Sequence, residues 1–206
     1  KRALDGDKGL NTGGMGTVAP NPYYTDEIAE TCMETIFKPT IEAMNKEGRS
    51  FSGCLYFGLM LTEKGPKVIE YNCRFGDPET QVVLPLLESD LLDIMLSIYD
   101  KELDKAEIKF KDEYAACVVM ASAGYPVKYE KGFEITMPAD KNIYVAGAKI
   151  EEGKLVTSGG RVLGVTALGD TLENALKKSY DAVEKIHFEG AHYRRDIGKR
   201  ALEANK

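Results

Sequence analysis

The 206-residue sequence holds few of the residues on which metal and redox chemistry most often rests. Its two histidines, His187 and His192, stand five apart and so do not share a helix face. Its four cysteines, Cys32, Cys54, Cys73 and Cys117, are 22, 19 and 44 residues apart with no C-x-x-C pair. That removes the usual zinc and thioredoxin-type spacings. Each Cys sits among apolar neighbours, as packed thiols do, and free thiols without a secretion signal fit a cytoplasmic setting. Basic charge is also short: 27 Lys and Arg face 33 Asp and Glu, a net −6, which argues against a nucleic-acid binder. Long apolar runs are missing. Phe51–Leu61 is interrupted by Ser52 and two glycines and falls far short of the roughly 18 apolar residues of a membrane span. No apolar signal stretch or initiator Met opens the chain. A glycine-rich segment arrives at once, although such loops normally hang from scaffold on both sides. The expectation is that the chain is the back part of a longer protein.

What is present describes an ordinary globular chain, 43% hydrophobic and 29% charged. Its length suits one large domain or two small ones. It can bury roughly 70% of its extended surface without disulfides. Residues 1–22, rich in Gly, Asp, Asn and Pro, read as loop. Thr25 or Asp26 caps a helix to about Lys46, kinked at Pro39. Phe51–Thr62 and Lys67–Cys73 read as a hairpin around Glu63–Pro66. Asp77 as N-cap with Pro78 at the first helical position starts a helix over about 79–87. Ser89 or Asp90 caps another, to about Lys101. Beyond a weakly patterned stretch near 103–112, Tyr114–Ser122, Tyr144–Glu151 and Arg161–Leu168 read as strands. Asp170 with Glu173 forms a capping box for a helix to about Ile186. The fold class expected is α+β, with domains at 1–110 and 111–206, the second an antiparallel sheet with one long helix.

Val68–Glu79 carries the most chemistry. On a strand, Glu70, Asn72 and Arg74 share one face, about 6.7 Å apart in succession, while Ile69, Tyr71 and Cys73 point into the core. Glu and Asn oxygens suit Mg²⁺, which takes one or two protein groups plus phosphate and water. Arg74 has the planar fork that holds two phosphate oxygens, and the helix after Asp77 directs its positive end at the same neighbourhood. The same spacing also describes the solvent face of an edge strand. Asp77 also fits a helix cap, and Glu79 also fits a first-turn acid favoured by the helix dipole. The second segment, Asp5–Gly16, matches neither the G-x-x-x-x-G-K-[ST] phosphate loop nor G-x-G-x-x-G. Its glycines let backbone N–H groups approach an anion, and they also fit a flexible loop.

Together, Asp-Gly-Asp-x-Gly-x-Asn-Thr-Gly-Gly-Met-Gly (Asp5–Gly16) and Glu-Tyr-Asn-Cys-Arg-Phe-Gly-Asp-Pro-Glu-Thr-Gln (Glu70–Gln81) closely resemble the phosphoribosylamine–glycine ligase family of ATP-grasp enzymes. Thr157–Val165 and Tyr193–Gly198 resemble it too. The likeness runs through the whole chain but covers only the C-terminal half of such an enzyme. Leu10 departs from a frequent Pro, and Thr17–Pro20 from a frequent Ala-Tyr-Ser-Pro. The resemblance implies an ATP-grasp lobe followed by a small C-terminal α+β domain. It implies a reaction in which glycine, 5-phosphoribosylamine and ATP give glycinamide ribonucleotide, ADP and phosphate through glycyl phosphate. It implies Glu70 and Asn72 as ligands of Mg²⁺ (or Mn²⁺), and Arg74 and Asp5 as catalytic groups. Asn11, Thr12, Gly13, Gly14, Met15 and Gly16 would bind substrate or phosphate, with Asp77 and Glu79. The expected partners are these small molecules and the absent N-terminal half, without nucleic acid or membrane, and the isolated chain is expected to be inactive. Two alternatives stand beside this: another ATP-grasp carboxylate–amine ligase, and a non-catalytic nucleotide-binding module. Arg161 either reaches the site or holds the sheet. The basic cluster Arg194, Arg195, Lys199 and Arg200 reads as a solvated helix or tail.

Overall fold

The structure, a computed structural model, describes residues 1–140 and 142–204. Along the chain run β1 (Arg2–Leu4), β2 (Lys8–Asn11), β3 (Gly16–Ala19), α1 (Asp26–Cys32), α2 (Lys38–Lys46), β4 (Tyr56–Thr62), β5 (Gly65–Asn72), α3 (Thr80–Leu86) and α4 (Leu91–Tyr99). There follow β6 (Tyr114–Ser122), β7 (Ile143–Val145), β8 (Ala148–Glu151), β9 (Lys154–Thr157), β10 (Arg161–Gly169), α5 (Leu172–Val183), β11 (Ala191–His192) and α6 (Lys199–Ala204). These elements form two compact units: residues 1–20, 77–86 and 111–206 in one, and 21–76 with 87–110 in the other. None of the helices among the described residues is long and apolar enough to cross a membrane.

The first unit is built on β6. Its run Ala115–Ala121 is apolar without alternation, because both faces are covered. Ala116, Val118 and Met120 turn to one side, where they meet α5, the segment after it and α6 through Leu172, Ala175, Leu176, Val183 and Ala201. Ala115 and Cys117 turn to the other, against Val82 and Leu86 of α3. All pairings in the sheet are antiparallel. β10 lies along one edge of β6, with β7 beyond it, and β3 and β11 share the other edge. Residues 1–22 are therefore not simply loop. β1 pairs β2, and Gly16–Ala19 is bound into the main sheet opposite Ala115–Val118. At Gly16, φ is +152°, and a Cβ would come within 2.6 Å of the Cys117 carbonyl, so a side chain there would break this pairing.

One cap and one strand differ from expectation. Thr171, not Asp170, caps α5, accepting from the Asn174 N–H, while Asp170 accepts from the Asn174 amide side chain. The expected strand Tyr144–Glu151 divides at Ala146–Gly147 into β7, which pairs with β10, and β8, which pairs with β9.

The second unit holds the hairpin β4–β5 and the helices α1, α2 and α4. The expected Phe51–Thr62 strand starts only at Tyr56, after Gly53 at φ +129°. The expected long helix forms, but Met33–Phe37 winds as a π turn, with Lys38 N–H bonding back to the Met33 carbonyl. Pro39 lacks an N–H for the regular ladder, so the chain loosens in the turn before it. Asp90 caps α4 as read from the sequence, accepting from the Leu92 N–H at 2.7 Å.

Candidate functional site

Glu70 and Asn72 lie on β5, opposite Gly58 and Tyr56 of β4. Both are half-buried on one face of the hairpin. Between Glu70 and Val68 the register slips, since Gly58 pairs Glu70 while Leu59 pairs Val68, leaving Ile69 as the extra residue of a β-bulge. This corrects two expectations. Ile69 is 61% exposed and Tyr71 52% exposed, so this face is not core. Tyr71 packs edge-on to Phe57, with centroids 5.2 Å apart, and with Cys73 borders an open apolar groove of about 610 Å³ against α2. The strand also ends at Asn72. Arg74 falls in the following bend, exposed, with its Nη1 donating to the Phe75 carbonyl at 2.6 Å, so strand alternation does not place it beside Glu70 and Asn72.

The Glu70–Asn72 face fits a hard divalent cation. The Glu70 side chain lies directly against Gly58, where a Cβ would come within 2.6 Å of its Cγ. One carboxylate and one amide oxygen are the sparse protein donor set that Mg²⁺ uses beside phosphate. Among the described residues no group of three His, Cys, Asp or Glu is arranged to hold a metal.

The glycine segment, Asp77 and Glu79 belong to the first unit. Asn11 ends β2 opposite Arg2. Thr12 is tied to the Lys1 carbonyl through both its N–H and its hydroxyl at 2.8 Å. Gly13 N–H donates to the Tyr125 hydroxyl at 3.2 Å and Gly14 N–H to the Thr12 Oγ1 at 3.1 Å. Met15 is buried, and its carbonyl accepts from Val119 N–H. Three amides of this loop thus already have protein partners, and its conformation is held on both sides.

Asp77 does not cap a helix. α3 begins at Thr80, after a cis Asp77–Pro78 peptide. The Asp77 Oδ1 accepts from the Gln81 amide at 2.9 Å, and Oδ2 pairs with Arg161 Nη2 at 3.0 Å. The Glu79 carbonyl accepts the N–H groups of Val82 and Val83 at the start of α3.

Asp5 and Asp7 flank a tight turn at Gly6 (φ +65°) and meet the end of the chain. Asp5 Oδ1 accepts from the Arg195 N–H, and Gly6 N–H donates to Asp196 Oδ2, both at 2.8 Å. Arg194 grips Asp196 with a two-point fork at 2.7 and 2.9 Å and also reaches Asp7 Oδ1 at 3.1 Å. Arg200 pairs with the other Asp7 oxygen. The expected solvated basic tail is thus wrong for Arg194, which is 9% exposed, with Asp7, Asp196 and the Arg2 carbonyl on its guanidinium. Its fork holds the Asp196 carboxyl well below the usual carboxylate range. Burial pushes the Tyr180 phenol up to about 12, and this hydroxyl donates to the Arg194 carbonyl while accepting from Ile197 N–H. Neither Tyr125 nor Asp196 stood out as a site residue in the sequence. The available signal for Asp196 was its place two residues after an Arg.

Two family models match the chain in succession. Residues 1–80 match the phosphoribosylglycinamide synthetase ATP-grasp (A) domain and residues 115–200 the C domain of the same synthetase. The chain is 49% identical over 201 residues to a phosphoribosylamine–glycine ligase of Clostridium acetobutylicum, covering 97% of this chain and 48% of that protein. The crystal structure of the same ligase from Thermotoga maritima superposes with a TM-score of 0.86 at 43% identity, over 96% of this chain and 49% of that one. The biotin carboxylase domain of Hydrogenobacter thermophilus 2-oxoglutarate carboxylase, at 15% identity and a TM-score of 0.61, shares the fold over 99% of this chain and 44% of that one. The chain spans about half the length of the curated relatives it matches. Two successive domain models, and near-half identity carried through both, leave one assignment: the chain belongs to the phosphoribosylglycinamide synthetase family.

Proposed function

We propose that this chain is the C-terminal half of an ATP-dependent ligase that joins glycine to 5-phosphoribosylamine. The observation that carries the reading is the Glu70–Asn72 face over Gly58, within a chain that matches the family's A and C domains in order. In the first step a glycine carboxylate oxygen attacks the γ-phosphorus of ATP, and ADP leaves. In the second, the amine of 5-phosphoribosylamine attacks the carbonyl carbon of glycyl phosphate, releasing phosphate and a proton. Neither step needs a protein nucleophile, in keeping with buried Cys32 and Cys117. Burial pushes the Cys117 thiol up to about 12, which keeps it protonated.

Glu70 and Asn72 would hold Mg²⁺ or Mn²⁺, which when bound neutralises the charge of the ATP phosphates. Arg74 contacts transferring phosphate or substrate through its exposed fork. By the family resemblance, Asn11–Gly16, with Asp5, Asp77 and Glu79, would bind substrate or phosphate. Residues 1–110 correspond to part of the ATP-grasp domain and 111–206 to the C-terminal domain. The protein works in the cytoplasm, consistent with four free thiols.

Phosphate release from the full-length protein carrying this sequence, supplied with glycine, 5-phosphoribosylamine and ATP, tests the proposal. Turnover that requires all three supports it, and turnover with another amine or acid in place of these overturns it. In that protein, Glu70→Gln keeps the shape but not the charge. We expect turnover to fall about 100-fold or more, the scale of a lost transition-state electrostatic contact, with the thermal midpoint nearly unchanged. Near-wild-type activity would remove Glu70 from the metal site.

A further inference from the structure

We propose that Arg161 is a positioning residue: oriented by Asp77, its guanidinium fixes the Gly13–Gly14 loop in the geometry the substrate needs. The inference rests on the ligase reading above and goes further, because it moves Asp77 from substrate contact to a role exerted through Arg161.

Arg161 is the first residue of β10, held to the centre of the sheet by its pairing with Ala121. Its Nη1 donates to the Asp77 carbonyl at 2.9 Å and, more weakly, to the Gly14 carbonyl at 3.4 Å. Its Nη2 pairs with the Asp77 Oδ2 at 3.0 Å, and the other Asp77 oxygen is held by Gln81. The fork therefore joins three stretches of chain, at 13–14, 77–81 and 161. Its side chain is 21% exposed, against 46% for Asp77, so the pair sits at the boundary of solvent with the Arg on the inner side.

The glycines are fitted to this clamp. A Cβ on Gly13 would lie 3.0 Å from the Arg161 Cζ. One on Gly14, at φ +126°, would lie 2.7 Å from the Pro78 Cδ. The guanidinium and the proline ring thus press directly on bare backbone. On the amide side the same two glycines are tied to Tyr125 and Thr12. A loop without side chains is intrinsically loose. Here hydrogen bonds and contact on opposite sides remove that freedom before substrate arrives, which is preorganisation in the sense that matters for rate. A Lys would keep the charge but could not reproduce the planar fork.

The experiment uses the full-length protein carrying this sequence, with Arg161→Gln, Arg161→Lys, Asp77→Asn and the Arg161→Gln/Asp77→Asn double variant. Steady-state kinetics give kcat and KM for each substrate. Amide hydrogen exchange follows Gly13 and Gly14, with β6 as internal reference. For Arg161→Gln we expect kcat to fall about 100-fold, the scale of a misplaced reacting group, with a smaller change in KM for ATP. Exchange at Gly13 and Gly14 should rise about ten-fold or more while that of β6 stays unchanged. Arg161→Lys should remain impaired. The double variant should be no worse than Arg161→Gln alone, as for residues acting as one unit.

Additive losses in the double variant, a fully active Arg161→Lys, or unchanged exchange at the two glycines would each overturn the proposal. If the unaltered protein fails to turn over glycine, 5-phosphoribosylamine and ATP, the ligase reading falls. The exchange measurement then still decides whether Arg161 clamps the loop.

Discussion

Glu70 owes its place to the residue across the hairpin from it. Gly58 is buried, and a methyl group added there would press on the Glu70 Cγ at 2.6 Å. Gly58→Ala should therefore push the carboxylate off its rotamer without removing it. In the full-length protein, turnover at limiting Mg²⁺ should fall about ten-fold and recover partly at high Mg²⁺, an order of effect expected when a metal ligand is misdirected rather than lost. A magnesium titration of the rate checks this, and an unchanged titration curve would show that Gly58 does not shape the site. At this scale the sequence was legible where alternation holds, at Glu70 and Asn72. It was not legible at Arg74, because nothing in the residue pattern marks that β5 ends at Asn72 or that Ile69 is an inserted bulge residue. Both depend on how β4 pairs, and pairing is a property of two segments.

Elements with a single strong local signal were readable. The unbroken apolar run of β6 and the Asp90 cap of α4 needed no partner to be recognised. The short strands β1, β2 and β3 were not, since glycine and charged residues become strand there only by pairing with each other or with β6. The segment after β11 shows the same dependence. Arg194 looks like one member of a solvated cluster until Asp196 and Asp7 are seen on its guanidinium. That closure gives a pH prediction. The Asp196 carboxyl titrates lower in the folded protein than in the unfolded chain. Its contribution is therefore fully present above the unfolded value, near 4, and is lost as pH falls through the depressed folded one. Asp196→Asn should lower stability at neutral pH by about 2 kcal/mol, the scale of hydrogen bonds to a charged group. It should also flatten the loss of stability below about pH 4. Denaturant melts at pH 7 and pH 3 measure both effects. Equal destabilisation at the two pH values would show that the Arg194–Asp196 fork does not set the acid sensitivity.

At the scale of the molecule, the chain carries two compact units but only about half of the length of its relatives. The family's ATP-grasp model matches just its first 80 residues. The isolated chain is accordingly expected to fold its β6-centred unit cooperatively. It should release no phosphate above background from ATP with glycine and 5-phosphoribosylamine. Calorimetry and a phosphate assay on the same sample check the two statements together, and robust turnover by this chain alone would overturn the proposed division of the enzyme.

Motif by itself determined the family, and composition pointed away from His- or Cys-based catalysis. A chain with two histidines and scattered cysteines is poor material for His- or Cys-based catalysis. Two motifs with fixed spacing were enough to identify the family, because they record side chains and glycines within one short stretch. Only the tertiary structure decided which distant residues share those motifs' surroundings. Arg161 on the glycine loop and Asp77, and Arg194 on Asp7, are contacts across 84 to 187 residues of sequence. A charge pair of that kind depends on where the sheet delivers its partners, and local pattern carries no record of it.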